Sequence, residues 1–496
     1  MKKYLILFCL LITFGKVESQ SLLKGNFSMD DPQPYTELKS NGISNMFVQE
    51  YEDSSLIWLG TGSGLSKYNT ATEQWTTYGE KHGLGKGGVS AFYVKNDIIW
   101  VATVFDTTTS LGSFQAGGGL SYSLNGGLNW KHLPQPGNTP VQNTTWDIIV
   151  VDSVVWITSF GGGLRKTSSA WNDPEWLSPD FEVFWETATP DEYNFDPLEY
   201  LNHRPFSALY DDDIMWIGTA GGINKSLDMG KTWVNYNHQN QDESISGNWI
   251  LAIANQEYDD KNIIWAATWE TTSESEDTSE FRGVSKSEDF GYTWKTYLKG
   301  ESVYNFAFQD SAVYACAING LFKSIDGGET WAVFPPIVDY ELDEKIYSNE
   351  VYSAAVSNDQ TLWVGTGDGL AATDDDGLTW TIFRAFKKTG VDGEARTYAY
   401  PNPFSPLRHN QLGGDGHVRF QYNTKNSTRV TLRIFTYAME LVTTVVNNRP
   451  RPGNSDFTEV WNGRTDDGRL VANGVYFYQL ELDGDGTYWG KLMIFD

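Results

Sequence analysis

The stretch KSIDGGETW, Lys323–Trp331, decides how the chain is read. It places an acid, two glycines, a hydroxyl and a tryptophan within nine residues. Relatives stand at Lys225–Trp233 (KSLDMGKTW) and Lys286–Trp294 (KSEDFGYTW). Either a catalytic motif has been copied, or the chain keeps needing one turn.

The flanking sequence answers for the turn. An apolar pentad recurs seven times: IWLGT at Ile57, IWVAT at Ile99, VWITS at Val155, MWIGT at Met215, IWAAT at Ile264, VYACA at Val313 and LWVGT at Leu362. The aromatic positions are spaced by 42, 56, 60, 49, 49 and 49 residues, so the unit is a repeat. An alternating run precedes each pentad, and a Gly-led run such as GLFKSI follows it. A tight turn then leads to a Trp-led run such as WTIF. The third unit departs, with an irregular TSSAWNDPEW. Short β-rich runs bounded by Gly and Asp are strands. Four strands per unit and seven units predict an all-β fold, a seven-bladed β-propeller over 34–386. Radial packing buries both faces of each blade and needs no disulfide.

The turn between third and fourth strands resembles the Asp-box (BNR-like) family, Ser/Thr-x-Asp-x-Gly-x-Thr-Trp. The matching residues are Ser226/Asp228/Trp233, Ser287/Asp289/Trp294, Ser324/Asp326/Trp331 and Thr373/Asp375/Trp380, with a weaker copy at Ser123/Asn125/Trp130. The carboxylate is expected to accept backbone N–H bonds, Gly to supply a positive φ, and Trp to anchor the next strand. The first unit, IWLGTGSGLSKYN, lacks the box and resembles the propeller repeat of two-component sensor ectodomains.

Residues 1–19 read as a signal peptide: Lys2 and Lys3, an apolar Tyr4–Phe14, and a Val17–Glu18–Ser19 cleavage site. An exported chain, secreted or at the cell surface, with no transmembrane segment once matured, is expected. Cys9 leaves with that peptide, so Cys316 in AVYACAING is a buried small hydrophobe rather than half of a disulfide. The formal charge of −28 argues against nucleic acid or anionic membrane as partner.

Propeller geometry puts second-to-third-strand loops and inter-blade connections on one face, with the Asp-box turns on the other. The long segments all fall on the first: Val104–Gly117, Trp269–Arg282, Leu133–Thr144, Leu177–Asn202, Asn237–Gly247 and Pro335–Asn349. Functional loops concentrate on one side of a rigid scaffold. The ligand-binding candidates there are Phe105, Trp146, His203, Arg204, Trp249, Trp269, Arg282, Tyr304 and Tyr352, with Phe114, Trp185, Tyr193, Phe195 and Tyr340 nearby. Aromatics among Asp, Asn and Arg suit stacking on a sugar or gripping a peptide, and also suit packing between blades.

Asp-box propellers include sialidases, which resemble one another in an Arg-Ile-Pro entry and an arginine triad. The nearest string here is HRPF, His203–Phe206, and only Arg165, Arg204, Arg282 and Arg384 precede the tail. Xyloglucan-type endoglucanases pair two propellers, and this chain has one. No Gly-x-Ser-x-Gly, His-Glu-x-x-His or phosphate loop occurs, and six His are scattered. No cofactor is expected. Asp374–Gly377 and Asp483–Gly486 offer Ca²⁺ ligands without the full loop spacing, and turn chemistry accounts for both.

After a linker at 387–397, the pattern changes over 398–496. YPNPFSP, WNGRTDDG and ANGVYFYQ stand among alternating strands with Asp-Gly turns, as in a β-sandwich. These motifs resemble the Ig-like domain of flagellar hook-cap proteins and the C-terminal sorting domain of type IX secretion. FTYAMELV replaces the family's usual Asp-x-x-Gly turn. The resemblance implies outer-membrane secretion machinery as a partner. The expected function is a non-catalytic protein binding glycan or an extracellular protein, with glycoside hydrolysis by carboxylates on the insertion-rich face as the alternative.

Overall fold

The computed structural model describes residues 38–110, 112–167, 183–259, 261–271, 280–390, 395–411 and 415–495. The expected signal peptide, and most of the irregular third-unit turn, lie outside the described residues. Two compact units emerge. One runs to Ile337 and resumes over Asn349–Arg384; the other comprises Val338–Ser348 and the chain from Ala385.

The first unit holds seven four-stranded antiparallel sheets, each built from consecutive strands. Their innermost strands are Ile43–Tyr51, Gly88–Lys95, Thr145–Val151, Pro205–Asp211, Trp249–Tyr258, Val303–Gln309 and Val351–Val356. Each touches the next, and the first touches the seventh, so the ring closes. Among the described residues no strand is exchanged at the closure. Side chains make it: Tyr68 packs on Trp363 and Phe383 at 5.8 and 5.3 Å, and Glu50 accepts the Asn358 N–H at 2.8 Å.

The recurring pentads are second strands, buried along their length because both faces of each sheet are covered. Apolar clusters bridge neighbouring sheets. One joins Trp100 and Leu120 to Ile148 and Ile157; another joins Trp265 and Val284 to Phe306 and Val313. The aromatic of each pentad has a register partner on the third strand. In five sheets that partner is a lysine whose ammonium lies over the ring, from Lys67 over Trp58 at 5.0 Å to Lys286 over Trp265 at 5.6 Å. Each such pairing adds roughly 0.5–2 kcal/mol.

The pentad's last residue explains the Gly that follows. The Thr61, Thr219 and Thr366 hydroxyls donate to the carbonyls of Gly64, Gly222 and Gly369 at 2.7, 2.9 and 2.8 Å. Gly64 has φ +135°, and a Cβ there would lie 2.2 Å from the Tyr78 carbonyl oxygen, so no other residue fits.

Two expectations are corrected. Val104–Gly117 is not a long loop: second and third strands of the second sheet run on as Ile98–Thr109 and Gly112–Ser123, paired to their ends. Trp185 belongs to no connection either. Trp185–Thr187 is the fourth strand of the third sheet, pairing with Gly163–Thr167. The inserted residues before it displaced the Trp-led run from its usual spacing.

In the second unit, a three-stranded sheet (Thr397–Tyr400, Val418–Thr424, Ser455–Trp461) faces a four-stranded one (Leu441–Arg451, Thr428–Phe435, Gly474–Leu482, Gly486–Ile494). Their inward side chains share one core, including Phe420, Phe457, Leu432, Leu480 and Leu492. The YPNPF run is tied to the last strand. The Asn402 side chain donates to the Lys491 carbonyl at 2.8 Å and accepts the Met493 N–H at 3.0 Å, while Phe404 is fully buried. Val338–Ser348 carries a small hairpin, Val338–Asp339 against Glu344–Lys345. Most of Pro335–Asn349, expected as an insertion on the propeller face, therefore packs within this second unit.

Candidate functional site

Every innermost strand carries a bulge at the same place. The partners step from Ile43↔Thr61 to Asn45↔Gly60 in the first sheet, and equivalently in the other six. The residues set out of register are Ser44, Ser90, Trp146, Phe206, Leu251, Tyr304 and Tyr352, one per sheet. Each strand start pairs with the end of the second strand, so the seven ring the mouth on the face of the long insertions. A bulge re-aims its side chain and ends regular pairing.

From the third to the seventh sheet the bulged residues are aromatic except Leu251, and further aromatic rings gather beside them. Phe160 meets Phe206 at 5.8 Å between centroids, and Phe206 meets Trp249 at 5.4 Å. Trp249 is the register partner of Trp269. Trp269 meets Tyr304 at 6.2 Å, and Tyr304 meets Tyr352 at 5.5 Å. Trp249, Trp269, Tyr304 and Tyr352 were thus legible as candidates and are brought together. Phe160 and Phe206 were missed, although the bulge position predicts Phe206. Phe206, Trp249 and Trp269 are buried, and Phe160, Tyr304 and Tyr352 are half-buried, so the arc is a packed aromatic frame that opens to solvent only at the half-buried rings.

Charge beside the arc is held in place. Arg282 lies over Trp269 at 4.9 Å, with its Nε on Glu270 at 2.8 Å and one terminal nitrogen on the Ser302 hydroxyl at 3.2 Å. The Tyr352 hydroxyl donates to Glu350. Burial and the Glu350 charge push the Tyr304 hydroxyl well above the usual phenol range, and it has no hydrogen-bond partner among the described residues. Glu280 accepts from the Asn248 side chain at 2.8 Å and from the Thr271 N–H at 2.9 Å. Asp368 and Arg384 form a buried pair at 3.4 Å. Asp147, next to the bulged Trp146, accepts the Ile148 and Ala208 N–H groups at 2.8 and 2.9 Å. Burial nonetheless raises its carboxyl to about 6, the backbone bonds only partly opposing it.

Of the remaining candidates, Arg204 meets the arc through Phe160 at 5.9 Å, and the others fall outside it. His203 is buried: its Nδ1 accepts the Asp196 N–H, and its Nε2 pairs with Asp191, both at 2.9 Å. Arg204, also buried, donates to the Pro197 and Leu198 carbonyls and faces Phe160. These two anchor the insertion before the fourth sheet. Phe105 sits in the extended hairpin under Lys86 at 4.4 Å. Trp146 is half-buried at its bulge. The four propeller arginines do not converge, since Arg165 is turned onto the Gly162 carbonyl at 2.9 Å. Among the described residues no group of three or more His, Cys, Asp or Glu is placed to hold a metal ion.

On the opposite face, the repeated turn has one geometry. The Asp326 carboxylate accepts the Thr330 N–H at 2.9 Å, the Thr330 hydroxyl at 2.7 Å and the Ser324 hydroxyl at 2.7 Å. Asp228, Asp289 and Asp375 repeat it, and Asn125 substitutes in the second sheet. These bonds hold Asp228 and Asp326 at about 2. Trp294 and Trp380 are buried, and Trp331 and Trp294 donate to the turn glycine's carbonyl at 2.9 and 3.1 Å. Trp233 joins the core between third and fourth sheets. Each turn also leans on the preceding sheet: a Cβ on Gly328 would lie 2.2 Å from Trp265.

The first unit is thereby a β-propeller. No protein-family model and no curated protein sequence matches the chain. Among solved structures, a GH74 enzyme of Niastella koreensis is similar at TM-score 0.52 and 11% identity, covering 92% of this chain and 74% of that one. An ancestral GH74 enzyme is similar at TM-score 0.51 and 12% identity, covering 93% and 64%. PorZ, a surface component of the type-IX secretion system of Porphyromonas gingivalis, gives TM-score 0.43 and 15% identity, covering 94% and 61%. The chain thus spans less than two thirds of the PorZ chain. The GH74 likenesses are of fold alone.

Proposed function

We propose that the chain is an exported, non-catalytic binding protein whose ligand lies on the aromatic arc from Phe160 to Tyr352. One observation carries this reading: aromatics of five successive sheets gather at the mouth in two contact series, Phe160–Phe206–Trp249 and Trp269–Tyr304–Tyr352, while Glu270, Glu280 and Glu350 are bonded within the protein. Such a surface suits a neutral oligosaccharide or an extended peptide. An acidic polymer is disfavoured by the charge of −28. Export follows from the resemblance of residues 1–19 to a signal peptide. Delivery by type IX machinery follows from the resemblance of the C-terminal motifs to a sorting domain, and the second unit supports it by folding as a sandwich. Screening the intact protein on arrays of neutral oligosaccharides and of peptides tests the reading. Binding that Trp269→Ala and Tyr352→Ala abolish supports it, and binding that both variants retain overturns it.

A second reading, glycoside hydrolysis, would rest on Asp147, whose carboxyl burial raises to about 6, although both of its oxygens accept backbone N–H groups. Release of reducing sugar from a glycan, lost in Asp147→Asn, would establish it. Binding without turnover would exclude it for the glycans bound.

A further inference from the structure

We propose that the hairpin Val338–Ser348 is a latch: the sandwich binds it non-covalently, so a cut in the connecting segment after Arg384 does not release the C-terminal module. The chain leaves the propeller sheets after Ile337 and returns at Asn349. Between those points each hairpin strand has two residues, too few to hold a structure without partners. The partners come from residues a hundred positions onward.

Arg451 is the centre of the contact. Its side chain is almost wholly buried, with one terminal nitrogen donating to the Leu342 carbonyl and the other to Glu459 at 2.6 Å. The Tyr422 hydroxyl donates to the same carboxylate at 2.8 Å, and the Arg451 guanidinium lies over Phe457 at 4.6 Å. Without the hairpin, that buried guanidinium loses an acceptor, a costly state for a desolvated charge. Leu342 packs against the sandwich core. Asp343 pairs with Arg449 at 3.2 Å. The Tyr347 ring lies 6.3 Å from His417.

The hairpin also covers a sheet edge. Ser455–Trp461 is the outer strand of the three-stranded sheet, paired only with Val418–Thr424. Its Thr458 N–H, on the open side, is taken by Glu344 at 3.4 Å. Open edges are commonly protected by charge or cover, and this segment supplies both.

The test uses the full chain with a protease site inserted after Gly390. After complete cleavage, the two fragments should co-elute on size exclusion at low micromolar concentration and separate only in denaturant. Immediate separation in native buffer overturns the proposal. A variant carrying Leu342→Ser, Asp343→Ala and Glu344→Ala should then lose the C-terminal fragment, with dissociation faster by about tenfold or more. Co-elution that survives in this variant also overturns the proposal, because something other than the hairpin holds the module. A second variant, Asp339–Lys345 replaced by a Gly/Ser linker, repeats the reading without relying on single contacts. Circular dichroism of both uncut variants checks that sheet content is kept.

Discussion

The glycine pair in Lys323–Trp331 provides a sharp perturbation. Gly327 and Gly328 both have positive φ, +67° and +92°. A Cβ on Gly327 meets nothing within 4 Å, whereas one on Gly328 meets Trp265 at 2.2 Å. Trp265 is fully buried and stacked under Lys286, so it cannot move aside cheaply. Gly327→Ala should therefore cost only the left-handed backbone penalty, about 1–2 kcal/mol. Gly328→Ala should add overpacking of about 1–3 kcal/mol, for a total of about 2–5 kcal/mol. Equilibrium urea unfolding, read by tryptophan fluorescence, measures both. Shrinking the neighbour should relieve part of the cost, so Gly328→Ala with Trp265→Phe should be less destabilised than the sum of the single changes. Equal costs for the two alanines, or strict additivity in the double variant, would refute the claim that the turn is a spacer seated on the preceding sheet.

Other consequences follow from the same contacts. The carboxyls of Asp228 and Asp326, held at about 2 by turn bonds, stabilise the fold above the ordinary Asp range and lose that contribution as pH falls from about 4 toward about 2. Calorimetry should show the melting temperature dropping over that window, and less steeply in Asp326→Asn. Lys225 lies over Trp216 at 5.0 Å and donates to the Phe290 carbonyl at 2.8 Å, so Lys225→Met should cost about 1–2 kcal/mol in urea unfolding. Asp368→Ala removes the carboxylate facing the buried Arg384, which keeps its bond to the residue 368 carbonyl, and should cost about 1–3 kcal/mol.

The propeller was legible because one strand pattern recurs at near-constant spacing, and because each copy's Thr–Gly and Asp–Gly pairs have a local physical reason. Lysine opposite the pentad aromatic is equally visible in five copies, as the fourth position of the Gly-led run. The bulges were not visible. An extra residue in a strand depends on pairing across the sheet, which leaves no mark on one strand's alternation. For the same reason Phe206 does not stand out in the sequence, whereas Trp249, Trp269, Tyr304 and Tyr352 do by type and place. His203 and Arg204 looked like binding groups because a buried anchor of an insertion has the composition of a site. The hairpin before the seventh sheet reads as a face loop in the sequence because its partners, Arg449, Arg451 and Thr458, are distant in the chain.

The division of labour between the two faces is the central claim, and one binding comparison tests it directly. An oligosaccharide or peptide first captured on the arrays by the intact protein is titrated calorimetrically against Trp269→Ala, Tyr352→Ala and Asp326→Ala. The first two should each weaken binding by about 1–3 kcal/mol; Trp269→Ala, whose ring is buried, should also lower the melting temperature. Asp326→Ala should lower the melting temperature and leave affinity unchanged. Loss of affinity in Asp326→Ala at an unchanged melting temperature, with Trp269→Ala and Tyr352→Ala binding normally, would contradict it and move the site to the face of the repeated turns.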